Sequence, residues 1–459
     1  MSKAAVETKS KKVVMSGDDF PYEPVPMSHR ATWPQLTVVW FGAAMVAQLY
    51  QCGVNLGTGM GTISNAFLAI FWGAIYLSAF VALNGIIGYT TGCNAALSGT
   101  FAYGSKGVAI PGFHIADIGW FVVMNAIFAS ILDSIYPQVN IRVFSIIISM
   151  LFITNGYVGL KQMIILNKIA FPILVIVGAY GLYRVGTLPG GYAAVFSNIY
   201  PQKYTLAAGI TMVVGTWISG CSRAADYFRY AKSAKDAIIS SFLGFFGGFV
   251  LCISCGAIWG AATGTDDVGK TLGVLGMVTL GAIMFFVQTW TTAEHSAYVT
   301  STALPSAVEV VTGKRPARRH IILLVGVVGM AITGLDIQNY YVPFISFLGY
   351  LIPVIGSSSI IDFFILSKTN FHWSGHKDFY KINVNDEDVQ HHKFNPAVIP
   401  ALILGLILGW KSPWGIGAVN ALIGTLVVYV VSTFIFNALG FRAKEIKKNE
   451  ALAAAREGR

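Results

Sequence analysis

Apolar residues fall in long blocks along almost the whole chain, separated by short polar stretches. A block of about 20 residues spans the hydrocarbon core of a bilayer as a helix. Twelve such blocks predict helical spans over 36–60, 64–90, 111–135, 141–160, 166–187, 205–225, 237–263, 273–302, 320–336, 340–366, 395–411 and 413–437. Backbone groups in lipid must be satisfied internally, so the pattern reads as an all-α polytopic membrane protein. The first 30 residues are polar, with no apolar segment and no small-residue cleavage site, and predict no cleavable signal peptide.

Two blocks are irregular. The first contains "AQLYQCGVNLGTG" (47–59) and the sixth contains "GTWISGCS" (215–222), each crowded with glycine and small polar residues near mid-span. They lie five spans apart, an odd offset that gives the two copies opposite orientations. Interrupted helices at corresponding places in two inverted halves point to a transporter binding site, because unwinding exposes backbone groups that a substrate or ion then satisfies. The sixth span is expected to break at Gly215. The competing reading is that these glycines allow close helix packing.

Charge sets the orientation. Of 459 residues, 55% are hydrophobic and 11% charged, with a net charge of +10. With the N-terminus inside, the inner loops hold fifteen Lys and Arg between spans and the outer loops five. The positive-inside rule thus predicts cytoplasmic termini in a plasma or inner membrane. The same asymmetry explains the basic balance without any nucleic-acid partner. The expected divisions are a tail over 1–33, a ten-helix core over 34–366, a loop over 367–394, two further helices over 395–438 and a tail over 439–459, read as a solvated cytoplasmic helix.

Two metal readings are weak. Cys252 and Cys255 have CxxC spacing inside an apolar block, with no second pair, which suits packing better than metal or redox chemistry. His372, His376, His391 and His392 lie in the polar 367–396 stretch at spacings that match no closed tetrahedral site and read as a solvated loop. No Walker loop, HExxH or nucleophile elbow is present, so an enzyme is not indicated.

The stretches "GTWISGCSRAADYFRYAKSAKDAII" and "TWTTAEHSAYVTSTAL" (289–304), with "GVNLGTGM" in the first span and "IADIGWF" in the third, resemble the cytosine permease branch of the nucleobase–cation symporter-1 family. The resemblance covers about residues 24–440. It implies twelve transmembrane helices, an inverted five-plus-five repeat of leucine-transporter type plus two C-terminal helices. It also implies import of nucleobases or related heterocycles with Na⁺ or H⁺.

By that resemblance, Trp120 and Trp217 sandwich a flat base, a contact worth about 1–3 kcal/mol per base. Thr216, Ser219 and the backbone at Gly215 and Gly220 offer hydrogen bonds at its edge. Gln288 and Gln48 are amide candidates, each alternatively an interhelical bond. Thr291 and Thr292 resemble the hydroxyl pair of a Na⁺ site whose other ligands are backbone carbonyls near Ala44 and Ala47. Glu294 and His295 follow in the same span without a decided role.

Asp117 departs from the family pattern, which has Gln three residues before the third-span Trp. A carboxylate in a membrane is costly and marks a functional site by default. It pairs with a donor-rich or cationic ligand, carries the proton of an H⁺-coupled cycle, or pairs with His114 or an amide. The expected function is Na⁺-coupled import of a cytosine-type heterocycle by alternating access, by a protein acting as a monomer with no further cofactor. The alternatives are H⁺-coupled symport of a cationic or amino-substituted heterocycle (creatinine, hydroxymethylpyrimidine, purine) and, from another class, a nucleobase channel or membrane sensor.

Overall fold

The computed structural model describes residues 24–112, 115–138, 140–155, 160–314, 316–333, 340–369, 371–372 and 394–440. The described residues fold almost entirely into helices and their connections. The helices are α1 (Trp33–Ala44), α2 (Gln48–Gly59), α3 (Ile63–Thr91), α4 (Ala95–Tyr103), α5 (Ala109–Gly112), α6 (Ile115–Ile135), α7 (Ile141–Asn155), α8 (Leu160–Thr187), α9 (Gly191–Ser197), α10 (Leu206–Ser222), α11 (Ala225–Phe228), α12 (Ala234–Ser240), α13 (Phe246–Thr263), α14 (Val268–Val274), α15 (Val278–Thr312), α16 (Arg318–Thr333), α17 (Tyr341–Phe364), α18 (Val398–Lys411) and α19 (Gly417–Ala438). A π-helical turn, Ser241–Phe245, joins α12 to α13, so that Ala234–Thr263 is one continuous span.

Among the described residues, six helices are long and apolar enough to cross a membrane, and α1 with α2 makes one further span, the first in chain order, bent by 64°; Ala234–Thr263 is the seventh in that order. Five shorter apolar helices, in α7, α10, α15, α16 and α18, bring the set to the twelve expected blocks. The second block, read as 64–90, is Ile63–Thr91, held at its start by the Thr62 side chain and ended by Gly92 at φ 70°. The eighth begins later than expected, because residues 268–274 form the separate α14.

The bend of the first span falls at Met45–Ala47, ahead of the glycine-rich stretch. Residues 48–59 are regular helix, which corrects the expectation that the glycines mark the interruption. Those glycines form a packing seam instead. A Cβ on Gly53 would stand 2.2 Å from the Ile253 carbonyl oxygen, and one on Gly57 2.2 Å from that of Ala257. From the other side, a Cβ on Gly256 or Gly260 would stand 2.3 or 2.5 Å from the Tyr50 or Val54 carbonyl oxygen. Lipid is as apolar as leucine, so helices in a membrane are held by close packing, which small residues permit.

The seventh span continues that seam past the bend. A Cβ on Gly244 would stand 2.6 Å from the Thr37 carbonyl oxygen of α1, and one on Gly248 2.4 Å from that of Phe41. Cys252 occupies the rung between Gly248 and Gly256, and its thiol donates to the Val46 carbonyl at 3.4 Å, within the bend. Cys252 and Cys255 are both free and buried.

Candidate functional site

At the bend, α1 ends at Ala44, whose carbonyl accepts no hydrogen bond from a described residue. The Ala47 carbonyl takes the Tyr50 N–H at 3.1 Å. Gln48 opens α2, 6% exposed, and its side-chain oxygen is buried with no hydrogen-bond partner among the described residues. Its backbone carbonyl accepts the Tyr341 hydroxyl at 2.8 Å, which ties the start of α17 to the bend.

The sixth span is not broken at Gly215. Helix α10 runs unbroken through Gly215, Trp217, Ser219 and Gly220 to Ser222, and the interruption comes at Arg223 and Ala224, before α11. The small residues have packing duties. A Cβ on Gly215 would fall 1.7 Å from the Ile345 carbonyl oxygen of α17, so the two backbones are in direct contact there. Gly220 is the seat of Trp217, whose ring lies 2.1 Å from where a Cβ would stand. Thr216 is buried and donates to the Val213 carbonyl at 2.7 Å within its own helix. Ser219 is half-buried, and its carbonyl accepts the Ser222 hydroxyl at 2.7 Å.

Trp217 is half-buried and meets the ring of Phe245 edge-on, with centroids 5.8 Å apart. Phe245 stands at the end of the π-helical turn, a feature that often accompanies functional sites. The indole nitrogen of Trp217 is buried without a hydrogen-bond partner among the described residues. A buried donor left unmade costs about 1–3 kcal/mol. Gln48 and Trp217 therefore each present an unsatisfied polar atom. Trp120, 5% exposed, packs edge-on against Phe344 at 5.2 Å.

Asp117 has a partner outside the expected set. Its Oδ1 accepts Nη2 of Arg223 at 3.1 Å, with side-chain exposures of 6% and 19%. Arg223, expected in a solvated inner loop, is instead largely enclosed at the end of α10. The ion pair brings the first turn of α6, which carries Trp120, to the end of the helix carrying Trp217. His114, the partner expected for Asp117, lies outside the described residues.

On α15, Gln288 and Thr291 are buried and Thr292 is half-buried. The Thr291 hydroxyl donates to the Gln288 carbonyl at 2.9 Å, which leaves its oxygen lone pairs open to a cation. Helix α15 packs mainly on α6, α8 and α16, whereas α1 and α2 pack mainly on the seventh span and α3. The two halves of the expected Na⁺ site thus sit on elements without extensive mutual packing. The side chains of Glu294 and His295 lie outside the described residues.

His372 is not in a solvated loop. It is fully buried, with Nε2 2.8 Å from Asp362 Oδ2 at the end of α17. The Tyr429 hydroxyl donates to Asp362 Oδ1 at 2.9 Å, and Asn395 donates to the Tyr429 oxygen at 2.8 Å and to the Ala102 carbonyl at 2.8 Å. This network joins α4, α17 and α19. His376, His391 and His392 lie outside the described residues.

Arg223, Phe344, Phe245 and Tyr341 are not among the residues expected at the site. For Arg223 the available signal was its place four residues after Ser219, still in register with the α10 face, which is weak because basic residues commonly end spans.

A family model described as permease for cytosine/purines, uracil, thiamine and allantoin matches residues 24–431. The chain belongs to this permease family. It is 26% identical to the cytosine permease of Escherichia coli K12 over 426 residues, which cover 92% of this chain and 96% of that one. Its fold is similar to that of Mhp1 in an inward-facing conformation, with a TM-score of 0.73 at 16% identity over 94% of this chain and 96% of that one. It is also similar to Mhp1, a nucleobase-cation-symport-1 family transporter, in a closed conformation with bromovinylhydantoin bound, with a TM-score of 0.68 at 15% identity over 94% of this chain and 99% of that one. The permease is therefore a multi-pass membrane transporter, not an enzyme, with an all-helical fold similar to that of Mhp1.

Proposed function

We propose that the permease imports a cytosine-type nucleobase or related small planar heterocycle by symport with Na⁺ through alternating access. The observation that carries this reading is the bend at Met45–Ala47. It leaves the Ala44 carbonyl and the Gln48 side-chain oxygen without partners among the described residues of a chain built to cross a membrane. Such groups are costly in that setting unless an ion and a ligand satisfy them.

The donor set suits Na⁺: carbonyl oxygens at Ala44 and Ala47 and hydroxyl oxygens at Thr291 and Thr292 are hard, neutral ligands. For the heterocycle, Trp120 and Trp217 supply flat apolar faces. Gln48, Gln288, Ser219, Thr216 and the Gly215 backbone are the edge candidates, with the Trp217 N–H available. Thr216 and Gly215 are the weakest of these, being committed to their own helix and to α17. The ion pair with Arg223 neutralises Asp117, so a cationic ligand is not needed to balance its charge. Both termini and the 367–394 loop are assigned to the cytoplasmic side of the cell membrane by the distribution of Lys and Arg, the ten-helix core occupies 34–366, and the monomer is the transporting unit.

Uptake of radiolabelled cytosine into proteoliposomes, with and without an inward Na⁺ gradient, tests the reading. Accumulation above equilibrium only with the gradient supports it. Uptake that merely equilibrates, whatever the Na⁺ and pH gradients, refutes symport in favour of a channel.

A further inference from the structure

Arg223 and Arg30 are both enclosed arginines, and they are used differently. Arg30 is held by backbone: Nε and Nη2 donate to the Val25 carbonyl at 3.1 and 3.0 Å, and Nη1 donates to the Tyr89 and Ala231 carbonyls at 2.7 and 3.4 Å. These four bonds commit four of its five N–H donors and hold the N-terminal segment in place. Arg223 makes one hydrogen bond to a described residue, from Nη2 to Asp117. A guanidinium carries five N–H donors in a fixed fork, so most of this one is uncommitted. The other ionisable groups facing it are Asp226 and Tyr227. Asp226 is occupied elsewhere, its Oδ1 accepting the Ala95 N–H at 2.7 Å at the start of α4.

The location gives those donors a use. Arg223 follows Trp217 by six residues at the end of α10, and Asp117 precedes Trp120 by one helical turn on α6. The pair bridges the two helices that carry the proposed stacking rings. A ligand between those rings would meet, at its edge, a carboxylate acceptor beside guanidinium donors. The two carboxylates near a single guanidinium, Asp117 and Asp226, disfavour an anionic ligand. The matching neutral edge carries an exocyclic amine next to a ring nitrogen or carbonyl acceptor.

Building on the transport reading above, we infer that Arg223, paired with Asp117, is a specificity-determining residue that selects heterocycles with an amine-plus-acceptor edge over their oxo counterparts. Cytosine and adenine present N4–H₂ with N3 and N6–H₂ with N1. Uracil and hypoxanthine replace the amine by a carbonyl and the acceptor nitrogen by N–H. Held between the two rings in the pose that sets the cytosine amine on the carboxylate, they would set oxygen toward carboxylate and N–H toward guanidinium, and polar groups left unpaired in a buried site reject a ligand strongly.

The test is competition by cytosine, uracil, adenine and hypoxanthine for radiolabelled cytosine uptake, in reconstituted parent, Arg223→Gln and the double variant Arg223→Gln with Asp117→Asn. The double variant removes both charges of the ion pair, so neither partner is left without the other, and Asp226 keeps its bond from the Ala95 N–H. Ligand-free melting of each variant reports folding separately. In the parent, each amine ligand should outcompete its oxo partner by about tenfold or more, the discrimination of one well-placed bidentate contact. Arg223→Gln should weaken cytosine by a similar factor, and the double variant should lose the preference within both pairs. A folded double variant that keeps the parent's preference overturns the inference while leaving the transport reading intact, as does a parent that favours uracil over cytosine. A parent that takes up no heterocycle overturns both.

Discussion

Replacing Gly53 and Gly57 together by alanine tests the seam that holds the bent first span. Each new Cβ would lie 2.2 Å from a backbone carbonyl oxygen of the seventh span, and ordinary contact begins at 3.4 Å. The difference, 3.4 minus 2.2, requires α2 to retreat by about 1.2 Å. The obstacle is backbone of a continuous helix, so no side chain can rotate out of the way. Overpacking of this kind costs about 1–3 kcal/mol per site. Against it stands the better helix propensity of alanine, about 1 kcal/mol per residue. With backbone as the obstacle, the upper part of that range applies and overpacking wins, leaving a net loss of up to about 2 kcal/mol per site. The retreat also carries Ala47 and Gln48 away from the bend, so uptake should fall further than stability. The assays are thermal melting in detergent and proteoliposome uptake, with Gly273→Ala as the control. Gly273 lies in α14, and its nearest neighbour to a new Cβ is Val278 at 3.9 Å, an ordinary contact. A double variant that melts and transports like the parent would refute the seam.

Gly215→Ala should abolish transport and lower the melting midpoint, since its Cβ meets the Ile345 carbonyl at 1.7 Å; a variant with parental melting and uptake shows that α10 and α17 are not held at backbone contact. Thr291→Ala with Thr292→Ala should raise the Na⁺ concentration for half-maximal uptake by tenfold or more with little change of melting in Na⁺-free buffer, and unchanged Na⁺ activation removes these residues from the ion site. His372→Ala should cost about 1–3 kcal/mol by removing the buried 2.8 Å hydrogen bond to Asp362, seen as a lower melting midpoint; parental melting would show the bond to be unimportant. Lys203 holds the Asp266 carboxyl below its usual range, first through their 2.9 Å hydrogen bond. The resulting stability is present above the unfolded carboxylate pKa and is lost as pH falls through the lowered folded value. Both side chains are about half exposed, so screening keeps the contribution below about 1 kcal/mol; a large melting change in Lys203→Met at pH 7 would contradict this.

The spans were legible because block length and apolarity are dictated by the bilayer. The positions of the two interruptions were not. Glycine is the strongest local breaker signal, and both glycine-rich stretches turned out helical, because their glycines meet backbone of another helix. The true bend, Met45-Val46-Ala47, is made of residues that propagate helices or suit apolar spans. It is held open by tertiary partners, with the Cys252 thiol on the Val46 carbonyl and the Tyr341 hydroxyl on the Gln48 carbonyl. Those contacts join residues 206 and 293 positions apart, beyond the reach of any local pattern. Trp120, Trp217 and Asp117 could be singled out from neighbouring residues, but the Asp117 partner is 106 residues away and sits where a span normally ends in a solvated basic residue.

The same seam explains why the CxxC-spaced pair lies where it does. Along the seventh span, Gly244, Gly248, Cys252, Gly256 and Gly260 recur every four residues on one face. The first two meet α1 and the last two meet α2, so Cys252 is the rung opposite the bend. A glycine there would leave the Val46 carbonyl without a thiol donor, and a larger residue would collide with the displaced backbone. A small side chain with a weak donor fits both demands. Both halves of the bent span are therefore fixed to one helix at backbone distance. Neither half can swing alone without opening a gap along that seam, where packing is the main source of cohesion. Motion during transport is then expected between this three-part unit and its neighbours, at α10 against α17 and at the Asp117–Arg223 pair, with the bend itself keeping its shape.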